Sequence, residues 1–84
     1  MSQPRFVVTN RIRRLRFDHG EMTQQQLADR VGVSRQTINA IEGGKYSPSL
    51  EVAFEIARAF GTPLEQVFQF DPAQPLPPEP AATL

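Results

Sequence analysis

A single glycine between two short amphipathic segments does most to restrict what this chain can fold into. Thr23 stands ahead of the first segment, where its hydroxyl can cap a helix, and Gln26 three residues on completes a reciprocal capping box. Leu27, Ala28 and Val31 form one apolar stripe, which predicts a helix over Gln24–Val31. Gly32 follows at once, and only a residue at ease with positive φ turns a chain so sharply. Ser34 caps a second helix over about Arg35–Glu42, with Ile38 and Ile41 facing inward and Gly43-Gly44 ending it. Two short helices that cross steeply need a small residue where they touch, which Ala28 supplies. They also need an apolar plug in the turn, Val33, and anchors on the second helix, Ile38 and Ile41.

The outward face of the second helix is then Arg35, Gln36, Thr37, Asn39 and Ala40. It is lightly charged and rich in side chains that donate and accept hydrogen bonds. Arg can bridge guanine, and Gln or Asn can bridge adenine, at base edges in the major groove. A hairpin that merely packs needs none of these side chains. The joint fulfilment of spacing, turn and polar face outweighs that reading and points to double-stranded DNA as the partner.

The rest of the chain reads as support. Arg5–Thr9 is short, apolar and β-branched and predicts a strand. Thr9 or Asn10 caps a first helix with Ile12 and Leu15 inward and Arg11, Arg13, Arg14 and Arg16 on its other faces, ended by Gly20. Ser49 caps a fourth helix to about Phe60, with Leu50, Ala53, Phe54, Ala57 and Phe60 as its stripe. Thr62-Pro63-Leu64-Glu65 has the form of a capping box with Pro63 at the first helical position. A short fifth helix, about Leu64–Phe68, follows and buries Leu64, Val67 and Phe68; Gln69-Phe70 extends as a second strand. From Asp71 to Leu84 the prolines Pro72, Pro75, Pro77, Pro78 and Pro80 predict a disordered tail, or a proline-rich ligand for a partner domain. The expected organisation is an arm or strand over 1–9, one domain over 10–70 and a tail over 71–84. A chain of 84 residues has a thin core that self-association would help to stabilise.

Charge and composition narrow the function. The formal net charge is zero, yet the charges are polarised. The first twenty residues carry Arg5, Arg11, Arg13, Arg14 and Arg16 against Asp18, whereas from Glu51 to Leu84 the acids Glu51, Glu55, Glu65, Asp71 and Glu79 face only Arg58. A basic half can meet phosphates while an acidic half points away. With no cysteine and His19 as the only histidine, neither a metal site nor a histidine-based triad is expected, and no cofactor. His19 reads as a surface residue rather than a pH switch. No ionisable pair is placed for acid–base work, so the chain is not expected to be an enzyme. Met1–Thr9 lacks the apolar run of a signal peptide, and no stretch nears the ~18 apolar residues of a membrane span. A cytoplasmic protein is the default.

The chain resembles the Cro/repressor-type (XRE) helix-turn-helix family, in particular its short single-domain members. The residues that carry the resemblance are Arg11–Arg16, Thr23–Ala28, Val31–Ile38, Ile41–Tyr46, Pro48–Leu50 and Phe60–Glu65, and it covers about Asn10 to Phe70. It implies an all-α, five-helix, lambda-repressor-like fold with a small terminal strand pair. It also implies a homodimeric transcriptional regulator, a repressor, that reads a palindromic operator with helix 35–42 in the major groove. Carried onto this sequence, Gln24 holds a phosphate with its side chain and the helix N-terminus. Ser34, Arg35, Gln36, Thr37 and Asn39 face the groove, and Ala40 touches a thymine methyl. Lys45, Tyr46 and Ser47 grip the DNA backbone. Arg16 and Glu42 match a frequent internal ion pair, and Phe6, Val67, Phe68 and Phe70 fall where such members dimerise. Two departures stand out. Gly20-Glu21-Met22-Thr23 is one residue longer than the common entry to the second helix, so phosphate roles for Arg13 and Arg14 are not carried over, and Gly43-Gly44 replaces a single glycine. The alternative is an antitoxin or antirepressor that uses the same fold to hold a protein partner such as a toxin.

Overall fold

The computed structural model describes residues 6–72. Five helices and two strands follow one another as β1 (Phe6–Asn10), α1 (Ile12–Asp18), α2 (Gln24–Val31), α3 (Arg35–Glu42), α4 (Leu50–Phe60), α5 (Leu64–Val67) and β2 (Phe68–Pro72). The expected disordered tail lies, from residue 73 on, outside the described residues, as does Arg5. The strands pair antiparallel, from Phe6 opposite Pro72 to Asn10 opposite Phe68. The Arg11 N–H donates to the Val67 carbonyl at 2.9 Å, which seats the start of α1 on the end of α5.

The boundaries of α2 and α3 follow from their caps. The Thr23 side chain accepts from the Gln26 N–H while the Gln26 side chain accepts from the Thr23 N–H, a complete capping box. Ser34 accepts from the Thr37 N–H to open α3. Gly32, at φ 86°, is left-handed and closes α2 on the Ala28 carbonyl, which also receives the Val33 N–H. The longer entry ahead of α2 is taken up in part by Glu21, which itself adopts φ 55°.

Ile12, Leu27, Ile38, Ile41, Ile56 and Val67 are the largest side chains shut completely away from solvent, and they come from all five helices. Met22, Ala28, Ala57 and Phe60 complete the core, with Leu15, Val31, Val33 and Leu64 packed against its edge. Each large aliphatic side chain so buried contributes about 1.5–3 kcal/mol of transfer free energy, and together they hold α3 in place.

Four expectations are corrected. The buried stripe of α4 is Ala53, Ile56, Ala57 and Phe60, whereas Leu50 and Phe54 are 68% and 52% exposed. Both sets satisfy helical spacing, but the core lies on the side that Ile56 marks. The second correction is at α5, where Pro63 is the N-cap and there is no side-chain cap hydrogen bond. Thr62 belongs to the end of α4: its N–H donates to the Ala57 carbonyl at 3.1 Å beside the Gly61 N–H on Arg58, so the helix starts later than a Thr62 cap requires. The third is at α1, whose N-cap is Arg11. The Asn10 side chain instead accepts from the Ile12 N–H at 3.1 Å in a turn of its own. Finally, Val67 is fully buried within this chain and is a core residue, not one turned toward a second copy.

Candidate nucleic-acid interface

The first residue of α3 and the loop after its last residue flank one exposed surface. Arg35, Gln36 and Asn39 are exposed, and the Arg35 and Gln36 side chains have no partner among the described residues. Ser34 is exposed too, but its hydroxyl is spent on the cap, accepting from the Thr37 N–H and lying 2.9 Å from the Thr37 hydroxyl. Ala40 is half-buried beside this face. Beyond the helix, Gly44 at φ 74° turns the chain and the Lys45 N–H closes on the Ala40 carbonyl at 3.0 Å. Lys45, Tyr46 and Ser47 are all exposed there.

Arg16 and Glu42 hold α3 from behind. The guanidinium meets the carboxylate in a fork, Nε to Oε2 at 2.5 Å and Nη2 to Oε1 at 3.0 Å, with the side chains only 16% and 9% exposed. Nη1 of Arg16 also donates to the Met22 carbonyl at 2.7 Å, which fixes the segment that leads into α2. Gln24, half-buried at the start of α2, donates from Nε2 to Glu42 Oε1 at 3.3 Å and to Asn39 Oδ1 at 3.2 Å. Its two amide hydrogens are therefore engaged inside the protein. The groups at the start of α2 that point to an anion are the backbone N–H groups of Gln24 and Gln25, which no helical carbonyl can reach.

Three further arrangements had no signal in the sequence. Asn10 Nδ2 donates to the Ile41 carbonyl at 3.0 Å, which ties β1 to the last turn of α3. His19 sets Nδ1 2.7 Å from the Leu15 carbonyl and Nε2 3.1 Å from the Phe60 carbonyl, joining the ends of α1 and α4, while its ring lies against Phe60. Arg13 and Phe17, the latter 64% exposed, line an open cleft together with Gln24, Gln25 and Arg35 on the flank of the α3 surface. Arg14 is less available, since its Nε donates to Asp18 one turn away. Among the described residues no helix is long and apolar enough to cross a membrane. Of the expected dimer residues besides Val67, Phe68 is half-buried and Phe70 is exposed, while Phe6 is placed through its backbone in β1.

Comparison with known proteins agrees with this geometry. The helix-turn-helix family profile matches residues 12–67. An uncharacterised HTH-type transcriptional regulator of Methanocaldococcus jannaschii is 50% identical over 62 residues, which are 74% of this chain and 92% of that protein. The transcriptional repressor RstR of the cryptic phage CTXphi in Vibrio cholerae is 32% identical over 59 residues, 70% of this chain and 52% of the repressor. Among solved structures, a Bacteroides fragilis protein described as DNA-binding superposes with a TM-score of 0.65 at 25% identity. The match covers 75% of this chain and the whole of that one.

Proposed function

Because the chain belongs to the Cro/repressor-type (XRE) helix-turn-helix family of DNA-binding transcriptional regulators, we propose that it is a repressor that reads a palindromic operator as a homodimer. In this reading α3 enters the major groove. Arg35, Gln36 and Asn39 reach base edges, with Ser34 and Thr37 at the rim and Ala40 against a thymine methyl. The N–H groups of Gln24 and Gln25 receive a phosphate at the start of α2, and Lys45, Tyr46 and Ser47 grip the backbone beyond α3.

The observation that carries the reading is the contrast between the two faces of α3. Ile38 and Ile41 are buried and Glu42 is pinned by Arg16, while Arg35 and Gln36 extend outward with no partner among the described residues. Water hydrates that surface in the free protein, and its donors and acceptors remain available for base edges. The phage repressor among the relatives supports the sign of regulation. For the homodimer, the β1–β2 pair with Phe6, Phe68 and Phe70 is the proposed interface, now without Val67.

Selection of bound sequences from random duplex DNA by the purified protein tests the proposal. The expected result is an inverted repeat whose half-sites lie about one helical turn (~34 Å) apart. Enrichment of no sequence over the starting pool would overturn it.

A further inference from the structure

The chain of interactions from Arg16 through Glu42 and Gln24 to Asn39 has a chemical direction. A carboxylate only accepts hydrogen bonds, so Glu42, forked onto Arg16, can take only the amide nitrogen of Gln24, as it does at 3.3 Å. The same Nε2 carries a second hydrogen, directed at Asn39 3.2 Å away. Only the oxygen of the Asn39 amide can accept it, because an NH₂ group turned that way would meet another NH₂. The orientation of Asn39 is thereby inherited from the ion pair in three steps. Its oxygen is turned back toward α2, and its Nδ2, with no partner among the described residues, is the atom left on the exposed face.

The geometry points to Asn39 as a reader of the operator that presents its amide nitrogen, a donor, to the base. It selects a base that offers an acceptor in the major groove, guanine at N7 and O6, adenine at N7 or thymine at O4, and rejects cytosine, which offers only a donor there. An unconstrained asparagine could turn its amide oxygen outward to accept from cytosine N4, whereas here that oxygen is turned back toward Gln24. Gln24 is then a positioning residue for base choice, and Arg16 and Glu42 fix it in turn. This inference rests on the proposal that α3 enters the major groove.

The test is selection from random duplex DNA with the wild type and with Asn39→Ala, Asn39→Asp, Gln24→Ala and Gln24→Met, each first shown to be folded by circular dichroism. In the wild type, one position of each half-site is expected to favour guanine, adenine or thymine over cytosine by about fivefold, the worth of one net hydrogen bond. Asn39→Ala flattens that position alone. Asn39→Asp, which presents only acceptors, inverts it toward cytosine or adenine. Gln24→Ala and Gln24→Met release the Asn39 amide, whose oxygen can then face the groove, and admit cytosine at the same position. They leave the salt dependence of binding unchanged, whereas removal of a phosphate-binding group would lower it. A wild-type distribution retained by both Gln24 variants would overturn the positioning role. No altered position with either Asn39 variant would overturn base reading by Asn39. If the wild type enriches no sequence, the failure lies in the proposed operator recognition itself, and that is read before any variant is compared.

Discussion

Arg16 and Glu42, 26 residues apart in sequence, meet in a two-bond fork that joins α1 to the last turn of α3. The pair is mostly shielded from water, so removing one partner strands the other. Arg16→Ala is expected to destabilise the fold by about 3 kcal/mol, as for other broken buried pairs, and it also leaves the Met22 carbonyl without its donor. Arg16→Lys keeps the charge, loses the fork and falls between. Urea unfolding of the three proteins checks the order.

The neighbouring glycines at the end of α3 are not equivalent. Gly44 sits at φ 74°, whereas Gly43 is right-handed at φ −78°. Gly44→Ala is expected to cost about 1 kcal/mol or more, because an L side chain is strained there. A Cβ at Gly43 meets the Asn39 carbonyl oxygen at 3.4 Å, an ordinary van der Waals distance. Gly43→Ala therefore leaves stability unchanged or raises it by about 0.5 kcal/mol by restricting the unfolded chain. Thermal melts of the two variants decide.

Ile56 and Phe54 lie two residues apart on α4 and differ completely in burial. Ile56→Ala is expected to cost about 3 kcal/mol through the cavity it leaves. Phe54→Ser at low protein concentration is expected to stay within about 0.5 kcal/mol of the wild type. A larger cost for Phe54→Ser than for Ile56→Ala would show the helix packed on the face its sequence first suggests.

Lys45 is exposed beyond α3 with no carboxylate partner among the described residues. Lys45→Ala is expected to weaken selected and scrambled duplexes alike and to lower the salt slope of log K by about 0.9 for each phosphate that is no longer neutralised. Arg35→Ala is expected instead to reduce the ratio between the two duplexes by about 1–3 kcal/mol in free energy. Anisotropy titrations across a salt series separate the two behaviours.

Much of this was legible in the chain because local chemistry fixed it. Thr23, Gln26, Gly32 and Ser34 each set a helix boundary through hydrogen bonds or backbone freedom within a few residues, and α2 and α3 have the bounds that the spacing predicts. The face of α4 was ambiguous because two registers of the same periodicity fit it. Only packing against the remaining helices selects Ile56 over Phe54, and periodicity holds no information about neighbours. Thr62 does not cap α5 because that helix opens one residue later, with Pro63 as its N-cap, a placement set by how α5 follows α4 rather than by the local pattern. On the candidate site, the groove-facing residues followed from the outward face of α3. The engagement of both Gln24 amide hydrogens did not, since it depends on how α2 is set against α3.

The strand pair draws together the two ends of the described chain, Phe6 opposite Pro72 and Asn10 opposite Phe68, while every helix lies between them in sequence. Closing so long a loop is entropically slow unless the intervening chain is already compact. The expected order of assembly is helices first, from interactions near in sequence, and the strands last, as a clasp over a core already formed. The clasp is correspondingly the part that opens at least cost. Amides of β1 and β2 should exchange with solvent well before those of α2 and α4, and opening the clasp loosens the Asn10 amide on the Ile41 carbonyl, so the loss of the strands is felt at the last turn of α3.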